Sequence, residues 1–248
     1  EPSDNPDRFG EKVTGMLQQP DGPDITIRHF KTLASGLAAV WATDNSREAL
    51  WDAMKRKEVY ATTGTRMTVR VFAGWDFAKD EVQRPDFAAQ GYERGVPMGG
   101  DLRAAADGKA PTFMAYAVRD PIGANLDRIQ IIKGWVDESG EPQERIIDAA
   151  VSDGRAPDTT GRIPPVGNTV DTTMATYTND IGSTELTGHW TDDDFDPSKP
   201  AVYYVRVIEI PTPRWTTYDA VRNGLPLLDD VPATIQERAW TSPIWYRP

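Results

Sequence analysis

The sequence contains no cysteine and only two histidines, His29 and His189. Without thiols there are no disulfides, no thiolate nucleophile and no zinc–thiolate centre, and the redox compartment stays undecided. The two histidines stand apart and belong to no H-x-H or H-E-x-x-H pattern, so this chain alone cannot assemble a histidine-rich metal centre. A lone histidine in a polar loop is ordinarily solvated. No apolar run approaches the eighteen or so residues that a membrane helix needs. The start, Glu-Pro-Ser-Asp-Asn-Pro, lacks a signal-peptide pattern, as a matured or cut chain would. Basic residues are also scarce, 27 against 38 acidic, for a formal net charge of −11. That field repels phosphate backbones and anionic membranes and argues against nucleic-acid binding. The G-x-S-x-G elbow, the P-loop and the dinucleotide fingerprint are all absent.

What is present describes a folded, strand-rich chain. Hydrophobic residues at 39% and charged residues at 26% separate it from disordered sequences. Twenty prolines and twenty glycines in 248 residues leave little room for long helices. Residues 1–33, broken by Pro2, Pro6, Pro20 and Pro23, read as a polar arm or linker, with a short helix expected around Glu11 to Gln19. Ala38 to Ala42 suits a short strand. Asn45 or Ser46, with Glu48, forms a capping signal ahead of a helix over 46–57 that ends in Lys55, Arg56 and Lys57.

Beyond it the hydrophobic period becomes two. Met67, Val69 and Val71 mark one strand and PTFMAYAV (111–118) another. DRIQIIKGWV and QERIIDAAV flank a hairpin loop at 137–140. Residues 152–200 read as turn-rich. AVYYVRVIEI is a strand, and RAWTSPIWY closes the chain as a further strand that Pro243 assigns to an edge or a bulge. The last strand is expected to pair beside residues 201–210, after a long excursion through Pro211, Pro213, Gly224, Pro226 and Pro232. Together these elements predict a mainly β fold (α+β overall), with a β-sandwich-like domain over 67–248.

Three stretches invite functional readings. The TDDDFDP run (191–197) offers clustered aspartates to calcium, but lacks the glycine and terminal glutamate of an EF-hand; a turn capped by its own aspartates is the other reading. YATTGTR (60–66) places Thr63, Thr65 and Arg66 where they can contact a substrate or other anion, or make junction hydrogen bonds. Arg66 could equally pair with Glu209 or Glu237. The strand 201–210 carries Val202, Tyr204, Arg206, Ile208 and Ile210 on one face and Tyr203, Val205, Val207 and Glu209 on the other. Each face holds one charge that must find a partner or reach water. A buried charge network of Arg206, Glu209, Arg214, Glu237 and Arg238 is therefore expected, with Trp215 able to stack on a guanidinium. GVPMGGD (95–101) reads as a tight turn.

The segments SGLAAVWATDNSREALWDAMKRKEVYATTGTRMTVRVFAGWDF, GVPMGGDL, NLDRIQIIKGWVD, YYVRVIEIPTPRWTTYDAVR and QERAWTSPIWY, spread over 34–248, resemble the C-terminal part of a family of large bacterial proteins of unknown function. Full-length members of that family are similar to PHP-type metal-dependent phosphoesterases. The resemblance implies a metal-binding barrel in an N-terminal half that this chain does not contain, with residues 34–66 as the helix-containing end of that barrel. It implies a divalent metal in that half, none in this chain, and the barrel half as this chain's partner. No catalytic residue can be carried over, because no position matches the metal-ligand motifs, and this chain alone is expected to be inactive. Exported relatives favour a periplasmic or extracellular place over the cytoplasm. The alternatives are a stand-alone β-sandwich binding module for a carbohydrate or other small ligand, with eight tryptophans as platforms, and a structural or assembly domain. Membrane insertion is not expected, and self-association is left open.

Overall fold

The computed structural model describes residues 36–103, 109–229 and 231–248, together with the backbone of two short strands, Lys12–Val13 (β1) and Ile27–Arg28 (β2), which pair antiparallel. The helix expected around Glu11 to Gln19 lies mostly outside the described residues, and its Lys12–Val13 portion is extended. The chain continues through β3 (Leu37–Val40), α1 (Arg47–Lys55), β4 (Val59–Thr62), β5 (Thr68–Gly74), a 3-10 turn (Glu81–Gln83) and α2 (Phe87–Arg94). Then come β6 (Gly95–Pro97), β7 (Asp101–Arg103), β8 (Thr112–Val118), β9 (Leu126–Val136), β10 (Pro142–Val151) and β11 (Glu185–Thr191). The last part holds β12 (Ala201–Glu209), β13 (Thr212–Pro213), α3 (Trp215–Arg222), β14 (Thr234–Ile235), β15 (Arg238–Thr241) and β16 (Ile244–Arg247).

The fold is mainly β, as expected. A large sheet runs β10-β9-β12-β15-β4-β3, with β16 also paired to β12 and to β7, and a small sheet runs β11-β8-β5-β6. Strands β3 and β4, from the segment expected to resemble the end of a barrel, are hydrogen-bonded into the large sheet beside β15. The expected final strand is two strands. Ser242-Pro243 interrupts it, and β15 and β16 pair with different halves of β12, Arg206↔Trp240 on one side and Tyr203↔Ile244 on the other. Proline has no N–H to give the ladder, so the break falls there.

The two sheets bury a common core. Ile129, Ile131, Val205, Val207 and Ile244 of the large sheet face Val69, Val71, Phe113, Ala115 and Ala117 of the small one. Each large side chain fully buried this way contributes about 1.5–3 kcal/mol. The outer face of the small sheet is also covered. Phe72 and Met114 pack there under Phe77 of the loop after β5, Val82 of the 3-10 turn and Phe87 of α2. Gly91 of α2 permits this contact, since a Cβ at that position would overlap the Phe72 ring. Ser46 caps α1 by accepting from the Ala49 N–H, as its capping signal predicted. In the glycine-rich turn between β6 and β7, Gly99 has φ +84°, a left-handed conformation that glycine adopts without strain.

Candidate functional site

The residues singled out above meet mainly at one end of the sandwich, where β12 terminates. The inner face of β12 carries Ala201, Tyr203, Val205, Val207 and Glu209, all buried. Glu209 is 0% exposed, and among the described residues neither of its carboxylate oxygens has a hydrogen-bond partner. Burial pushes its pKa up to about 8; Thr65 and Arg119 work the other way, and the charges of Glu237 and Asp120 add to the rise. Thr65 favours the anion by proximity, although no hydrogen bond of normal geometry joins its hydroxyl to Glu209. Burial likewise raises Glu237, against the influence of Thr63, Arg238 and Arg214. Both glutamates are thus biased toward the protonated form, in which a carboxyl can donate a hydrogen bond.

The 62–66 loop is shaped by its own hydroxyls. Thr62 Oγ1 donates to the Thr65 carbonyl at 2.6 Å and accepts from Gly64 N–H at 3.2 Å. Thr63 Oγ1 accepts from Arg238 N–H at 2.9 Å, tying the loop to β15. The backbone N–H of Arg66 donates to Asp120 Oδ2 at 2.8 Å, while its side chain is exposed and, among the described residues, has no ion pair. Arg206 belongs elsewhere. It lies on the outer face of β12 and donates to Gln130 Oε1 at 2.6 and 2.9 Å. Arg238 is exposed, its Nε donating to the Gln236 carbonyl. The expected five-residue network therefore reduces to Glu209, Glu237 and a buried Arg214 nearby. The guanidinium near Trp215 is that of Arg214, 5.4 Å from the ring centre.

The opposite end, about 27 Å away along β12 at roughly 3.4 Å per residue, holds a site that sequence reasoning missed. A cavity of about 360 Å³ opens between the strand ends, lined by Lys133, Trp135, Arg145, Phe195, Lys199 and Tyr203 among others. Lys133 is buried and lies 2.5 Å from Asp192 Oδ2, which also accepts from Tyr203 Oη at 2.6 Å. Asp192 is itself 0% exposed, and its Oδ1 has no hydrogen-bond partner among the described residues. The other aspartates of TDDDFDP are turned to different groups. Asp193 and Asp194 pair with Arg145, and Asp196 accepts from Ser198 Oγ and pairs with Lys199. Its alternation puts Lys133 on the inner face of β9, but nothing in the local pattern names Asp192 as its partner.

Among the described residues no three acidic or histidine side chains converge as a metal site. His189 donates from Nε2 to the Phe77 carbonyl at 2.9 Å, and His29 lies outside the described residues. No helix among the described residues is long and apolar enough to cross a membrane.

A third feature is the outer face of the large sheet. Period-two alternation places Ile132, Val136, Ile146, Val202, Tyr204, Ile208, Trp240 and Trp245 there. Val136 (51%), Ile146 (48%) and Trp245 (40%) are exposed. Helix α2 packs on β5 and β6, and α3 on β13, so neither serves this face.

These features define a two-sheet, mainly antiparallel β-sandwich with buried acids at one end and a mixed aromatic and charged cavity at the other. The chain belongs to the family described as protein of unknown function (DUF3604), whose model matches residues 1–248 and so takes in the N-terminal arm as well. No curated protein and no solved structure matches it.

Proposed function

We propose that this chain is the non-catalytic β-sandwich part of a PHP-like metal-dependent hydrolase of the phosphoesterase class, packing on the catalytic barrel and shaping its substrate entrance. The observation that carries the reading is the outer face of the large sheet. Two tryptophans, a tyrosine and several β-branched residues stand on one side of a sheet whose other side already packs the core. Exposed aromatic and aliphatic side chains on such a face, beside the polar Arg206, Gln130 and Asp148 group, support an interaction surface. The divalent metal and the catalytic ligands would belong to the barrel, consistent with the histidine-poor composition of this chain.

The test has two parts. The native product carrying this sequence should be substantially larger than 27.5 kDa and show metal-dependent phosphoesterase turnover. The double substitution Ile146→Glu/Trp245→Glu should leave the folding of the isolated chain nearly unchanged, because both side chains are exposed, yet abolish turnover in the larger protein. A native product of 27.5 kDa would overturn the proposal, as would full activity in the doubly substituted protein.

A further inference from the structure

The cavity at the β12 N-terminal end plays no part in that reading. Its volume, about 360 Å³, is within the range of small-molecule sites, roughly 300–1,000 Å³. Its walls combine aromatic faces with paired charges. Trp135 is half-buried and Phe195 packs edge-on against Tyr246 with ring centres 4.7 Å apart, so that wall is held in place. The Lys133 ammonium has three donors. One points to Asp192 and one to the Asp194 carbonyl at 3.2 Å, and the ammonium also lies 5.4 Å from the centre of the Trp135 ring, on the wall of the cavity that both residues line.

Charge balance decides the class of ligand. Lys133, Arg145 and Lys199 are each matched by an aspartate, Asp192, Asp194 and Asp196 respectively, with Asp193 and Glu138 as further acidic partners. An anion would have to break one of these pairs and enter a protein of net charge −11. A cation would find every lining carboxylate already facing a positive group. A neutral ring bearing many hydroxyls needs neither change. It can accept from the ammonium and guanidinium groups, donate to spare carboxylate lone pairs, and lay its C–H face on an indole. The buried Asp192 Oδ1, without a partner among the described residues, lies behind the same lysine and not on the cavity wall. We propose that this mouth of the sandwich binds a neutral saccharide, with Trp135 as the stacking platform and Lys133, Arg145 and Lys199 as hydrogen-bond donors.

Calorimetric titration and tryptophan fluorescence of the purified chain would test this against glucose, galactose, mannose, N-acetylglucosamine, maltose, cellobiose and lactose, with inorganic phosphate, glucuronate and glucosamine as charged comparators. At least one neutral saccharide should bind saturably, Trp135→Ala should weaken it tenfold or more, and Trp51→Ser at the exposed surface of α1 should not. If Trp135→Ala fails to fold, Lys199→Met at the cavity rim serves instead and should weaken binding severalfold. Saturation by none of the neutral sugars would overturn the proposal. So would binding confined to the charged comparators, or saccharide binding that survives both cavity substitutions.

Discussion

Glu209 is the residue at which burial and charge conflict most openly. Its carboxyl titrates near 8 in the folded chain against 4.5 as the ordinary value, chiefly because burial disfavours the anion. The folded chain therefore holds a proton that the unfolded chain has released. This contribution to stability is full below about pH 4.5 and is lost as pH rises through about 8, on the order of a few kcal/mol in all. Glu209→Gln cannot ionise, so its urea midpoint should fall less than the parent's between pH 5 and 9 and exceed the parent's at pH 9. Parallel midpoint curves for the two proteins would refute this. The Lys133–Asp192 pair behaves differently, because each ion supports the other. Lys133→Met strands a buried carboxylate and should cost about 3–5 kcal/mol. Lys133→Met/Asp192→Leu, which removes both charges, should cost less than the two single changes added together, as read from a double-mutant cycle. Arg66→Lys should leave stability within about 0.5 kcal/mol of the parent, since the backbone of Arg66, not its guanidinium, holds Asp120. An unfolding midpoint lowered by more than that would show the exposed guanidinium to be structural.

At the scale of elements, local signals served best where one face is buried and the other open. In β12 the period of two placed Glu209 inward with Val205 and Val207, as the structure has it. In α1 the capping residue was legible because Ser46 acts within one turn. Elements that depend on distant neighbours were not legible. Helix α2 has Gly91 at its centre, a residue that argues against helix until Phe72 is seen to need the space. Strand β11 was hidden in a turn-rich tract by Gly188, whose position beside Ala149 of β10 makes a small residue useful. Helix α3 begins two residues after Pro213 and holds two threonines in its first turn, a composition that reads as an extended exit. The candidate site divides in the same way. The Thr63–Arg66 loop and Glu209 could be named from sequence, whereas Lys133 and Asp192 meet only because the loop after β11 returns over the end of β9. Gly91→Ala tests the packing argument directly. Helix propensity alone predicts a gain of about 1 kcal/mol, while overlap with Phe72 predicts a net loss of about 1–3 kcal/mol. Packing should win, since Phe72 is itself wedged against Phe87 and Tyr92, with ring centres 5.4 and 4.9 Å away. A rise in thermal midpoint would show that α2 can move aside.

For the whole molecule, the net charge of −11 and the exposed ion pairs pull stability in opposite directions as salt is added. Screening relieves the self-repulsion of an acidic chain, which is greater in the compact state than in the expanded one. The same screening weakens pairs such as Arg145–Asp193, Arg84–Asp80 and Lys199–Glu138. Each exposed pair is worth only about 0–1 kcal/mol. The buried Lys133–Asp192 pair is screened far less and should respond little. Repulsion among eleven excess charges acts over the whole surface and falls steeply once the screening length drops from about 30 Å at 0.01 M to about 8 Å at 0.15 M salt. The thermal midpoint should therefore rise as sodium chloride is raised over that range at pH 7, and most of the rise should come before 0.15 M. Lysine-to-glutamine changes at exposed Lys55 or Lys79, which make the chain still more acidic, should steepen it. A midpoint that falls with salt would mean that the surface pairs, not the net charge, govern the electrostatics of this sandwich.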